Sequence, residues 1–305
     1  MTDSIHLSDE GFHEGLPVMM GLEIGRRYHH YLTFDLDTLV QGEGLPPQAV
    51  IDRVNRRGGF GFLAHPFEKG MSFKEHSIAY TWNDTSVSGF TGICIWNFAS
   101  RFKERIKGPL HGLFFLLLKA RMLKGPSSET LSFWDELCQS RRVVAIGGSD
   151  THGAVFRLGR FQFTPLPYAY SLNSINVHVL LKSPLPATFA EAKSQIYDAL
   201  REGRLFIAHD RLAPARGFDF HFESDEGNVV RQGQEGMFHE GTFFIRSPKR
   251  AEIRLIKDGA LLKRWLAGRV SFRAAQKGVY RVEVYIRVPF FGLRPWIFSN
   301  PIYLR

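Results

Sequence analysis

Only 2 of the 305 residues are cysteine. Cys94 and Cys138 both sit in apolar contexts and read as buried free thiols in a reducing compartment, not as a disulfide framework. The chain also has no apolar run long enough to span about 30 Å of hydrocarbon, so no transmembrane segment is expected. Its most apolar run, Leu113-Phe114-Phe115-Leu116-Leu117-Leu118, is bounded by His111 and Lys119. That run reads as a buried helix, with a membrane-touching or cleft-capping helix as the sharper alternative. No signal peptide opens the chain, and a cytoplasmic protein is expected. There is no basic tract. Arg56-Arg57, Arg141-Arg142 and Lys249-Arg250 are scattered pairs, so the net charge of +9 points to small anionic substrates or anionic surfaces, with no nucleic-acid motif. Internal repeats and long low-complexity linkers are absent too, and a hydrophobic content of 44% is that of a globular protein.

What is present is a series of apolar segments that end in polar residues. Val143-Val144-Ala145-Ile146 reads as a buried strand and runs into Gly147-Gly148-Ser149-Asp150-Thr151-His152-Gly153. An Asp and a His thus leave a strand end in a Gly-bounded loop, where α/β proteins place their chemistry. Carboxylate and imidazole are also the side chains a hydrolytic metal site needs. The plainer alternative is an Asp that caps the next helix and a solvent-exposed His. Gly59-Phe60-Gly61-Phe62-Leu63-Ala64-His65-Pro66 is a second such run, in which Pro66 holds His65 extended. In Met20-Gly21-Leu22-Glu23-Ile24-Gly25 a carboxylate lies inside an apolar strand and requires a metal or an Arg as partner. His29-His30-Tyr31-Leu32 follows it, and Thr91-Gly92-Ile93-Cys94-Ile95-Trp96-Asn97 ends in the polar tip Asn97.

Residues 17–40 read as two strands joined at the Gly25-Arg26-Arg27 turn. Pro46-Pro47 opens a helix with Ala49, Val50 and Val54 on one face, and Gly58-Gly59 stops it. Strands follow at 60–64 and 91–96, then a helical insertion punctuated by Gly108-Pro109 and Gly125-Pro126. Thr188 and Glu191 form a capping box, Gly203 a C-cap, and Leu205-Phe206-Ile207-Ala208 a last strand. The alternation predicts a mostly parallel α/β core over 1–212. From about Gly217 the period changes to two, as in Tyr280-Arg281-Val282-Glu283-Val284-Tyr285-Ile286, with a hairpin turn at Asp258-Gly259. This predicts an immunoglobulin-like β-sandwich over 213–305. His209, Asp210, His221 and His239 are placed in or near loops there, with no convergent polar cluster.

Taken in order, Gly-x-Glu, His-x-Leu, Ala-His-Pro, Ile-x-Asn and Gly-Ser-Asp-x-His resemble the later motifs of the PHP (polymerase and histidinol phosphatase) metallohydrolase superfamily. Trp134-Asp135-Glu136-Leu137 and the closing Ser299-Asn300-Pro301-Ile302-Tyr303-Leu304 resemble its carbaryl-hydrolase-like branch. The resemblance implies a distorted (β/α)7-type barrel, N-terminally incomplete, followed by the β-sandwich. The family's opening His-x-His strand has no counterpart, and Met1-Thr2-Asp3-Ser4 has Ser4 where Thr-Asp-His would have its His. Cys94 stands where relatives often have Glu. Carried over residue by residue, Glu23 bridges two metals, and His30 and His65 complete one site. Asp150 serves the neighbouring site and His152 a third, with Asn97 a further candidate ligand and His6 a candidate substitute for a lost imidazole. The implied chemistry is hydrolysis of a phosphoester or a carboxyl or carbamate ester. Glu23, Asp150 and His152 form its catalytic set, divalent Zn, Mn or Fe activates the water, and Arg157 and Arg160 bind an anionic group or are simply solvated. The alternative is a degenerate, non-catalytic domain that binds a metal or small anion.

Overall fold

The computed structural model describes residues 9–25, 27–71 and 80–305. The Met1–Ser4 segment, His6 and Arg26 lie outside the described residues. Two short strands come first, β1 (Gly11–His13) and β2 (Leu16–Val18). A sheet follows, made of β3 (Leu22–Ile24), β4 (Tyr31–Phe34), β5 (Phe60–Leu63), β6 (Gly92–Asn97) and β7 (Val144–Gly148). Helix α1 (Pro47–Arg56) lies between β4 and β5. Helices α2 (Phe98–Lys103), α3 (Pro109–Met122) and α4 (Ser128–Ser140) lie between β6 and β7. Next come β8 (Phe156–Leu158), β9 (Phe161–Phe163), α5 (Tyr168–Ser171), β10 (Ile175–Val179), α6 (Phe189–Glu202) and β11 (Leu205–His209). The rest is strand: β12 (Asp219–Ser224), β13 (Val229–Arg231), β14 (Glu235–Gly236), β15 (Gly241–Lys257), β16 (Ala260–Ala274), β17 (Gly278–Val288), β18 (Gly292–Ser299) and β19 (Ile302–Leu304).

The first sheet is open, not a closed barrel, and only half of it is parallel. β3–β4 and β4–β5 pair antiparallel, whereas β5–β6 and β6–β7 are parallel. The short link between β3 and β4 leaves room only for an antiparallel return, while the long links before β6 and β7 allow parallel crossovers. β5 is buried along its length, as is β6, which suits strands covered on both faces. Gly92 is required where β6 meets β7, since a Cβ there would sit 1.9 Å from the Val144 carbonyl oxygen. α1 starts with Pro47 in its first turn and buries Val50, Ile51 and Val54. At α6, Thr188 holds the N-cap position, but its hydroxyl donates to the Glu191 carboxylate (2.5 Å), so the reciprocal capping box is not formed.

The C-terminal strands do not stand apart. They join β10 and β11 in one ten-stranded sheet, with path β10-β11-β18-β17-β15-β12-β13. β11 has two apolar faces. Ile207 enters the core beneath the first sheet with Trp96 and Trp134, and Phe206 and Ala208 enter the core of the C-terminal strands. The division near 212 therefore falls inside a shared sheet. Asp258 (φ 51°) and Gly259 (φ 80°) turn the β15–β16 hairpin, and no helix follows Glu202 among the described residues.

The segments Trp134–Leu137 and Ser299–Leu304 work as fasteners. Asp135 forms a paired salt bridge with Arg281 (2.9 and 2.8 Å), and Trp134 Nε1 donates to the Val143 carbonyl (2.9 Å). Asn300 accepts from Ala145 N (2.7 Å) and donates to the carbonyls of Ala145 (2.9 Å) and Leu205 (3.1 Å). The expected burial of α3 does not hold. Phe115 is buried, but Leu110, Phe114 and Leu117 face solvent, because α3 packs through one side only. Among the described residues no helix is long and apolar enough to cross a membrane.

Candidate metal centre

The register of the antiparallel strands assembles the centre. Tyr31 pairs with both Ile24 and Leu63, so the start of β4 lies beside the ends of β3 and β5. Ala64 N donates to the His30 carbonyl (2.9 Å), which sets His65 next to His30. Glu23 then meets both rings. His30 Nδ1 lies 2.7 Å, and His65 Nε2 3.3 Å, from Glu23 Oε1. The ligand atoms of these three residues all lie within 4.8 Å of one another. A carboxylate and two imidazoles so arranged match the donor set of a three-ligand zinc-type site.

His65 is not extended as its Pro66 neighbour predicts. Its φ is 29°, and Asp150, facing the same cavity, has φ 46°. Such conformations are costly for residues with a Cβ and cluster at functional sites. His65 is held by its neighbours: its carbonyl accepts from Glu68 N (3.1 Å), and its Nδ1 lies 3.0 Å from the Tyr80 carbonyl. Glu68, with a fully buried side chain, stands 3.4 Å from His65 Nδ1 and 2.7 Å from Lys103 Nζ. Tyr80 also packs on the His30 ring, and Trp82 Nε1 donates to the His30 carbonyl (3.1 Å).

The charges interlock. Burial raises the Glu23 carboxyl, but the hydrogen bonds and charges of His30 and His65 outweigh it and hold the group well below the usual carboxylate range. For His65, burial favours the neutral ring, but the Glu23 hydrogen bond and the Asp150, Glu68 and Glu23 charges raise its pKa above the ordinary value. Asp150 is raised, chiefly by burial, with His65 acting against it. The Cys94 thiol is pushed up to about 12 by burial, so it stays protonated.

A cavity of about 490 Å³ opens over the centre. Glu23, His30, His65, Asp150 and His152 all line it, together with apolar walls from Phe102, Ile106, Pro165 and Leu166. Asp150 and His152 are thus brought to the same cleft but stay outside the three-residue group. His152 is largely exposed, and its Nδ1 lies 3.1 Å from the Asp150 carbonyl. Asn97 is engaged in a helix cap. Its Oδ1 accepts from Ser100 N (2.9 Å) and caps α2, the usual work of an Asn where a strand turns into a helix. Arg157 on β8 and Arg160 in the following turn are exposed and do not line the cavity. His29 is also diverted, accepting from Asn83 N (3.2 Å) and Asp84 N (3.3 Å).

Of the histidines placed in or near loops, His209 lies at a strand end and His221 within a strand. His221 is on β12 between Asp219 (2.7 Å) and Glu223 (3.2 Å), and His209 ends β11, buried against Trp96. His178 and Asp210 pair at 2.7 Å. Sequence reasoning misses Glu68, Lys103 and Tyr80. Glu68 carried a usable signal, a carboxylate three residues after His65. Tyr80 carried none for its hydrogen bond, because it serves through its backbone. No protein-family model, curated protein or solved structure matches the chain.

Proposed function

We propose that this protein is a metal-dependent hydrolase of the PHP type. On this reading the open five-stranded sheet is part of an incomplete barrel, and the C-terminal strands are its β-sandwich. The observation that carries the proposal is the convergence of Glu23 Oε1, His30 Nδ1 and His65 Nε2 at the floor of a cavity. A divalent Zn, Mn or Fe ion bound there supplies Lewis-acid activation of water and of the scissile group. The chain's own residues do the rest. Tyr80 and Glu68 orient His65, and Asp150, held toward its protonated form by burial, offers a carboxyl to the cavity. Apolar walls exclude water from the bound substrate.

The lining favours an uncharged carboxyl or carbamate ester over a phosphate dianion. Among the described residues Lys103 is the one Lys or Arg in the lining, and Glu68 already pairs with it, while Arg157 and Arg160 stand elsewhere. The two buried free thiols accord with a cytoplasmic setting. A second reading, a domain that binds a metal or small anion without turnover, draws on Asp150 and His152 staying outside the three-residue group. Assays of an aryl ester and an aryl phosphate, with Zn, Mn and Fe added in turn, test the proposal. Metal-dependent ester cleavage that is lost in Glu23→Gln is expected. Metal binding without turnover on either compound supports the second reading.

A further inference from the structure

α3 presents an apolar stripe with nothing packed on it among the described residues. Leu110, Phe114 and Leu117 follow one another at helical spacing and are 85%, 52% and 79% exposed. They lie on the part of α3 before its kink at Leu118, and Leu117 also borders a shallow pocket with Arg121, Tyr170 and Asp210. Exposed apolar ridges of this kind mark contact with another phase or molecule.

The charge along the segment that carries these residues is of one sign. From Arg105 to Lys124 the chain has five Lys and Arg residues and no Asp or Glu. Lys107 precedes the helix, Arg121 lies in its last turn beyond the kink at Leu118, and Lys124 follows the helix; all three are exposed. Arg294 joins them from β18, its Nε donating to the Arg121 carbonyl (2.7 Å). Lys124 is crowded by Arg105, Arg101, Arg294 and Lys107, whose like charges lower its pKa. Arg101 has Glu104 as partner, but the cluster as a whole is strongly cationic.

We infer that α3 docks on the surface of an anionic lipid bilayer, its Leu110–Phe114–Leu117 ridge entering the acyl boundary and its flanking cations meeting the headgroups. An apolar ridge between basic flanks is the pattern of a helix lying in the membrane interface. A second copy of this chain would bring two cationic rims together, which opposes self-association. A peptide seated in the pocket beside Leu117 would leave Leu110 and Phe114 uncovered, whereas a flat lipid surface meets all three. The helix is too short to span a bilayer, so contact is at the surface.

Sedimentation of the full chain with vesicles tests the inference. The chain is expected to pellet with vesicles of phosphatidylcholine mixed with phosphatidylserine, poorly with phosphatidylcholine alone, and less as salt is raised. The double variant Phe114→Glu/Leu117→Glu changes only exposed positions and should keep the circular dichroism spectrum. Its binding should fall roughly tenfold or more. Lys107→Ala and Lys124→Ala should each weaken binding about fivefold. No retention on the mixed vesicles, or equal retention of the double variant, overturns the inference. So does a dimer in solution that the double variant abolishes, because that result assigns the ridge to a second copy.

Discussion

His65 Nδ1 lies 3.0 Å from the carbonyl oxygen of Tyr80. A carbonyl only accepts, so that nitrogen carries the proton, and in the neutral ring the lone pair falls on Nε2. Nε2 faces Glu23 Oε1 at 3.3 Å. Metal-bound histidines are commonly fixed in this way, with one nitrogen donating to a carbonyl or carboxylate and the other aimed at the ion.

Proton competition at His65 gives a pH prediction. Its raised pKa means that a proton occupies the ring at pH values where an ordinary histidine is neutral. A metal must displace that proton, so affinity should rise as pH climbs from about 6 to about 8. Without metal the sign reverses. The charged ring's contribution to stability is complete below the unfolded pKa and is lost as pH rises through the raised folded pKa. Calorimetric titration with zinc across that range checks the first statement, and a flat profile contradicts it.

Glu68 links His65 to Lys103 from a fully buried position. Glu68→Gln keeps the shape but leaves Lys103 without its charge partner. Metal affinity should fall roughly tenfold. Stability should drop by about 1 kcal/mol, since the Lys103 charge left behind is partly exposed and water replaces part of the lost pairing. Unfolding in urea and zinc competition with a chelating dye read the two effects.

His209 gives a pH effect on stability. Burial lowers its pKa to about 4, against an ordinary 6.5. The unfolded chain therefore binds this proton more readily, and the neutral buried ring contributes stability above the unfolded value. That contribution is lost as pH falls from about 6.5 toward about 4, and amounts to about 3 kcal/mol. His209→Gln, which removes the titrating ring, should flatten this part of the stability–pH curve in denaturant titrations.

Asn300→Ala tests the fastening of the two sheets. The variant leaves Ala145 N, Ala145 O and Leu205 O without this partner in a buried place. The expected cost is roughly 3 kcal/mol. A change within about 0.5 kcal/mol, as for an ordinary surface substitution, would contradict it.

Glu23, His30 and His65 are legible in the sequence because metal-ligand side chains at the ends of apolar strands are conspicuous. Asn97 is ambiguous in the sequence, because an Asn between a strand and a helix is as good a cap as a ligand, and the structure shows it capping α2. The Leu113–Leu118 run shows that a helix is apolar, but not that one of its faces lacks a neighbour. β10 and β11 read locally as parts of the α/β region. Their antiparallel pairing with each other, and that of β11 with β18, involve contacts too distant in sequence for periodicity to reveal. The His65 backbone follows its carbonyl and ring contacts against the preference that Pro66 imposes.

Metal content of the purified chain is the most direct test of the central claim. After reconstitution with zinc and removal of loosely held ions, elemental analysis should find about one ion per chain, held by Glu23, His30 and His65. Glu23→Gln and His65→Ala should each abolish retention, while Asn97→Ala, which removes only a helix cap, should leave it intact. A chain that retains no metal after reconstitution, or one whose metal survives both ligand substitutions, would contradict the account.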